Sequence, residues 1–126
     1  MRGSEPPPAG PGATVSVEGT IVRVVLKGEV TEALSAAAVA QAVQAASKAG
    51  SARVLFDIRA ATHPGYHASV LKRADEAPAS GIARFRVAIL GEAGNPMLEF
   101  IADVANNRGV MARCFTVGAQ AIAWLG

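Results

Sequence analysis

Short apolar runs alternate along the chain with stretches in which apolar residues recur every three or four positions. Short runs rich in β-branched residues are typical of strands, and the longer periodicity is typical of amphipathic helices. The runs predict strands at 14–18, 21–27, 53–58, 84–90 and 112–117. The periodic stretches predict helices at 32–49, 67–77, 96–108 and 119–125.

The predicted order of elements is therefore ββαβαβαβα. The Gly19-Thr20 pair between the first two runs predicts a tight hairpin. Strands that are joined through helices run parallel and cross over with a right hand. The pattern thus predicts an α/β fold: a mixed, mostly parallel sheet with an N-terminal antiparallel hairpin, covered by helices.

The first 13 residues, MRGSEPPPAGPGA, are rich in Pro and Gly and have no apolar periodicity. They predict a flexible tail, so that residues 14–126 form the domain. Lys and Arg number 12 against 10 Asp and Glu, and the basic residues are scattered rather than interleaved with aromatics. This charge pattern argues against a nucleic-acid partner.

Cys114 is the single cysteine of the chain, so no intramolecular disulfide can form, which fits a reducing compartment. The longest uncharged stretch, residues 33–47, is short for a membrane span and contains glutamines and serines. The N-terminus has no signal-peptide pattern. We therefore expect a cytoplasmic protein without stable membrane insertion.

The segment at 51–69, SARVLFDIRAATHPGYHAS, combines a predicted buried strand, an irregular loop and a helix start. Pro64-Gly65 interrupts regular structure within it. Ligands and partners of open α/β sheets gather at the carboxyl ends of the strands. We expect the binding surface in the loops after Lys27, Ile58 and Leu90. The residues predicted to form it are Asp57, His63, Tyr66, His67 and Ser69.

Several residues of this segment have a simpler interpretation. Asp57 either contacts a ligand or, as we favour, accepts backbone N–H groups from its own loop. His63 and His67 are four residues apart, but Pro64-Gly65 separates them, and a zinc site usually needs three or four ligands. We expect neither a metal nor another cofactor. No G-x-S-x-G element is present, and we expect no enzymatic activity.

Three apolar segments resemble parts of a known family. They are Val24-Val25-Leu26-Lys27-Gly28, Val54-Leu55-Phe56-Asp57-Ile58, and the end of the chain from Cys114-Phe115 to Ala121-Ile122-Ala123-Trp124-Leu125. Together with the order of elements, they resemble the STAS domains of sulfate transporters and anti-sigma-factor antagonists. The SpoIIAA-like (STAS/SEC14-like) bacterial branch is the more similar. The resemblance covers residues 14–125.

The resemblance implies a signalling or binding module that engages a partner protein or a small apolar, lipid-like ligand, with a homodimer as one arrangement. An alternative is a phosphorylation-controlled antagonist switch. Phosphorylated members carry an Asp-Ser-x-Gly-like element where the second helix begins, and this chain has Pro64-Gly65-Tyr66-His67-Ala68-Ser69 there. The alternative would therefore use Ser69 or Thr62 as the acceptor. For Met97 and Phe100 in the third helix, and for Cys114, we expect core packing.

Overall fold

The computed structural model describes residues 12–62 and 81–126. The helix that the sequence predicts at 67–77 lies outside the described residues, and so does nearly all of the predicted tail.

Five strands form a single sheet: β1 (Ala13–Glu18), β2 (Ile21–Glu29), β3 (Arg53–Thr62), β4 (Arg86–Leu90) and β5 (Met111–Phe115). Their order in the sheet is β1-β2-β3-β4-β5. The first pair, β1 and β2, is antiparallel, and every following pair is parallel. The predicted mixed sheet with an N-terminal hairpin is thus confirmed.

Three α-helices belong to the described residues: α1 (Glu32–Ala49), α2 (Pro96–Asn107) and α3 (Gly118–Leu125). The Thr31 side chain accepts a hydrogen bond from the N–H of Leu34 at 3.1 Å, which fixes the start of α1. The Asn95 side chain likewise accepts a hydrogen bond from the N–H of Met97 at 2.9 Å, which fixes the start of α2. None of these three helices is long and apolar enough to cross a membrane.

Alternate residues of the strands point to opposite faces of the sheet, and each face has its own helices. On the first face, β2, β3 and β4 contribute residues such as Val22, Val54 and Val87, which pack with the buried sides of α1 and α2. On the second face, α3 covers a smaller cluster. It consists of Leu55, Ala88, Leu90, Ala121 and Leu125, which are all fully buried. The centre of the sheet is therefore buried on both sides.

The strands β2 and β3 are longer than the sequence predicts. Gly28 does not end β2, and residues 59–62, predicted as loop, continue β3. The two strands change register between Val25 and Lys27 and then pair again through Glu29 and Thr62. Gly28 has a φ of 75°, a conformation that glycine adopts without strain. The prediction of a loop at 59–62 was wrong because the backbone of this segment pairs with β2. Its side chains are small or polar, so the apolar pattern does not reveal a strand here.

The predicted start of the fourth strand at Arg84 was also early. A 3₁₀ turn occupies Ile82–Arg84, and β4 begins at Arg86. Phe85 between them is buried, so the apolar pattern continues although the strand does not.

The outer edge of β5 is partly covered by a side chain. The N–H of Gly91 donates to the carbonyl of Phe115 at 2.9 Å, so Phe115 points its backbone groups toward β4. By alternation, Ala112 and Cys114 point theirs away from the sheet. The Asn106 side chain accepts from the N–H of Ala112 at 3.2 Å and donates to its carbonyl at 2.7 Å. Asn106 thus occupies the place of one residue of a sixth strand.

Replacing Asn106 by Ala leaves both outward backbone groups of Ala112 without this partner. It also removes the hydrogen bond to the carbonyl of Ala102. We expect Asn106→Ala to lower the free energy of unfolding by about 1–2 kcal/mol. Asn107→Ala, at the exposed neighbouring position, is the matched control and should change it by less than about 0.5 kcal/mol. Urea unfolding of both variants checks this, and equal effects would contradict the assigned role of Asn106.

Candidate functional site

Asp57 is a buried carboxylate in the middle of β3, only 5% exposed. Its Oδ1 accepts from the backbone N–H and the Nε of Arg59, at 3.1 and 3.0 Å. Its Oδ2 accepts from terminal guanidinium nitrogens of Arg59 and Arg23, at 2.8 and 3.1 Å. Both oxygens are engaged, so Asp57 anchors two arginines on the second face of the sheet.

The expected backbone hydrogen bond to Asp57 is present, with the difference that Arg59 belongs to β3 and not to a loop. Sequence reasoning missed the two arginine partners. Arg59 is only two residues from Asp57 in the sequence, so the sequence alone could have suggested that these two side chains pair. Arg23 comes from β2 and could be found only from the register of the two strands.

The arginines also control the ionisation of Asp57. Burial alone would raise its pKa, but the hydrogen bonds and charge of Arg59, and then the hydrogen bond from Arg23, outweigh burial and lower the pKa. Asp57 in turn raises the pKa of Arg59. The carboxylate is therefore ionised throughout the neutral range.

Asp57→Asn should lower the free energy of unfolding at pH 7 by about 2–3 kcal/mol, because charge-assisted hydrogen bonds become weaker neutral ones. Since the folded-state pKa lies below the ordinary value of 3.8, the contribution of Asp57 is fully present above that value. It is lost as pH falls through the folded-state pKa. Urea unfolding should therefore show the difference between wild type and variant shrinking from pH 5 to pH 2.

Asp103→Asn, which changes an exposed carboxylate of α2, serves as the control. It should lower stability little at pH 7. If the difference in the free energy of unfolding between Asp57→Asn and wild type stayed constant down to pH 2, the ionisation of Asp57 would not contribute to stability as described.

A cleft of about 550 Å³ lies where β5 ends and α2 begins. The loop after Leu90, one of the three loops in which we expect the binding surface, contributes Gly94 and Asn95 to its lining. Residues 28–31 and 59–62, which follow the predicted strand ends at Lys27 and Ile58, do not line the cleft, since β2 continues through Glu29 and β3 through Thr62. The lining residues are Gly94, Asn95, Pro96, Leu98, Glu99, Arg113, Cys114, Phe115, Thr116 and Gln120.

The walls of the cleft are held by a few specific contacts. The Asn95 cap and Pro96 at the first helical position fix where α2 starts. The N–H of Gly91 ties the preceding loop to Phe115. A Cβ at Gly91 would lie 2.9 Å from Cδ1 of Leu98, so the close approach of loop and helix depends on glycine.

Two arginines and two aromatic rings form a continuous array beside the cleft on the second face. Arg113 lies 5.6 Å from the ring centroid of Phe115, and that ring lies 5.7 Å from the ring of Trp124. Arg86 lies 4.7 Å from the centroid of Trp124. Such contacts restrain both guanidinium groups. Sequence reasoning missed this array because its members come from β4, β5 and α3.

Cys114 is half-buried and borders the cleft as well as the core, where only core packing was predicted. Burial raises the pKa of its thiol, and the charge of Glu99 adds to this. The thiol is therefore protonated at neutral pH, which disfavours nucleophilic chemistry. Met97 is buried as predicted, and Phe100 is half-buried.

The remaining predicted site residues have varied positions. Thr62 is exposed at the end of β3, and its carbonyl accepts from the N–H of Val30 at 2.8 Å. His63, Tyr66, His67 and Ser69 lie outside the described residues, so their roles stay predictions. In residues 12–62 and 81–126 no group of three or more His, Cys, Asp or Glu residues is arranged to hold a metal.

The comparison with known proteins concerns the fold. No protein-family model matches the sequence, and no curated protein is significantly similar to it. Among solved structures, an uncharacterized DUF3478-family protein from Shewanella loihica PV-4, described as having a SpoIIAA-like fold, superposes with a TM-score of 0.61. The match covers 90% of this chain and 92% of the other, with 19% identity. The chain has a SpoIIAA-like fold. The resemblance inferred from the sequence is thus confirmed at the level of the fold, and at this identity the likeness shows the SpoIIAA-like fold alone.

Proposed function

We propose that this SpoIIAA-like chain is a non-enzymatic regulatory module that binds a segment of a partner protein in the cleft between α2 and β5. The observation that carries the proposal is the cleft itself, at the carboxyl end of the sheet, where α/β folds bind their ligands. A cytoplasmic location in a bacterial cell, without contact to nucleic acid or membrane, is part of the proposal.

The shape and chemistry of the cleft favour a protein segment over a small apolar ligand. Small apolar ligands are usually enclosed by their sites. Here most of the lining residues are exposed, including Glu99, Arg113 and Gln120. Apolar walls from Leu98 and Phe115 are combined with charges of both signs, as at protein interfaces.

The backbone of β5 offers a second reason. Cys114 directs its N–H and C=O away from the sheet and borders the cleft. No other residue in the part of the chain that the structure describes forms a hydrogen bond with these two groups, in contrast to those of Ala112. An extended segment in the cleft could pair with Cys114 and place its side chains against Leu98 and Phe115.

The chemistry of the cleft supports a binding role. An enzyme that used the only thiol here as a nucleophile would need a thiolate at neutral pH. Instead the pKa of Cys114 is raised, by burial first and by Glu99 next.

A photo-crosslinking amino acid at Thr116 tests the proposal in cells of the protein's own host. We expect one discrete covalent adduct with a partner protein. The same amino acid at Lys48, at the exposed end of α1, is the control and should not give that adduct. Equal adduct patterns at the two positions would overturn the proposal, and so would a crystal structure that shows a small molecule bound in the cleft.

With the partner purified, Arg113→Glu should weaken its binding at least about tenfold, because the substitution reverses a charge in the cleft and removes the contact with Phe115. Arg84→Glu is a matched control, since Arg84 is also exposed and lies 5.8 Å from the ring centroid of Phe85, outside the cleft lining. Isothermal titration calorimetry measures both. Equal loss of affinity in the two variants would show a general charge effect instead of binding in the cleft.

A further inference from the structure

The edge strand β1, at the opposite end of the sheet from β5, has a distinct set of outward backbone groups. The N–H of Lys27 donates to the carbonyl of Gly12 directly opposite, at 2.6 Å. In an antiparallel pair, residues with inward and outward backbone groups alternate along the strand. Thr14, Ser16 and Glu18 therefore face β2 with their backbone, and Val15 and Val17 face away from the sheet.

This outward edge is accessible at Val15 and Val17. Ala13, the other outward residue, is 1% exposed, whereas Val15 is half-buried and Val17 is 47% exposed. Across the described ranges, no hydrogen bond to the outward N–H and C=O groups of either valine is present.

The two edges of the sheet differ in their protection. Open edges are usually blocked by lysine, proline, a bulge or a covering side chain, because they pair readily with other strands. Asn106 supplies such a cover on β5. The sequence of β1, ATVSVE, contains neither lysine nor proline, and its pairing with β2 is continuous from Ala13 to Glu18.

We propose that β1 pairs antiparallel with β1 of a second copy of this chain, about a two-fold axis at Ser16. In this register Val15 of each copy lies opposite Val17 of the other, and all outward groups of the two valines form hydrogen bonds. The two five-stranded sheets become one continuous sheet, with a closed, isologous interface.

In the other symmetric registers, fewer of the outward backbone N–H and C=O groups find a hydrogen-bond partner. An axis at Val15 would require pairing at Ala13, which is buried. An axis at Val17 would place Val15 opposite Gly19, which belongs to the hairpin turn. The Ser16 register is thus the one in which both accessible residues find strand partners.

The side chains that meet in this register are compatible. On the first face Val15 meets Val17 of the second copy, and both would be shielded from water. On the second face Ser16 meets its own copy and Thr14 meets Glu18. No two like charges lie opposite one another. The interface lies at the far edge of the sheet from the cleft, so the dimer is independent of the proposed binding function.

Ser16→Cys tests this register in a chain whose native thiol is removed by Cys114→Ser. Ser16 and its copy form a non-hydrogen-bonded pair, with Cα atoms about 4.5 Å apart, which suits a disulfide. We expect most of the protein to form a disulfide-linked dimer under mild oxidation. Thr14→Cys in the same background is the matched control, because the two copies of residue 14 would be about 14 Å apart and should stay unlinked.

A second variant checks the dimer without a cysteine. Val17→Pro removes an outward N–H and leaves the inward groups paired with β2, so the fold should be kept. Sedimentation should show a dimer for the unmodified chain and a monomer for Val17→Pro, with equal circular dichroism spectra. Cross-linking of Ser16→Cys no faster than that of Thr14→Cys, or an unmodified chain that sediments as a monomer, would overturn the proposal.

Discussion

The burial of β3 on both faces determines where the other elements can lie. Val54 and Leu55 are adjacent in sequence, point to opposite faces and are both inaccessible to water. Shielding Val54 requires the helices of the first face, and shielding Leu55 requires α3. The final eight-residue helix is therefore a necessary part of the core, and the Nε of Arg53 in β3 donates to the carbonyl of Leu125 at its end.

The position of α3 has a consequence for the binding surface. The chain turns after β5 to bring α3 onto the second face, and this turn leaves β5 as an edge strand with Thr116 and Gln120 beside it. The start of α2 forms the other wall. The cleft thus follows from the requirement to cover Leu55 and Leu90, combined with the end of β5 at Phe115. Asp57 is the one carboxylate in this buried strand, and it stays ionised there because Arg59 and Arg23 supply donors to both oxygens.

The sequence was sufficient to predict most of the fold because burial and capping leave local signals. The apolar run at 54–58 lies in β3, and the helices predicted to begin at Glu32 and Pro96 begin there. The extension of β3 through residues 59–62 left no such signal, since it depends on backbone pairing with β2 across a register shift.

The site was less predictable for a related reason. The cleft joins residues from α2, β5 and α3, and the array of Arg86, Trp124, Phe115 and Arg113 joins residues up to 38 positions apart in the chain. Apolar periodicity does not report which strand edge stays open. The amide of Asn106 is a further example, because only the position of β5 beside α2 shows that it takes the place of a neighbouring strand.

Amide hydrogen exchange at Ala112 and Cys114 tests the central claim, that the outer edge of β5 is open at the cleft and receives a partner segment. In the free protein the N–H of Ala112 should exchange slowly, because Asn106 binds it, and the N–H of Cys114 should exchange quickly. Addition of the partner should protect Cys114 and leave Ala112 unchanged. Protection of Cys114 in the free protein equal to that of Ala112, or no change on binding, would contradict the account.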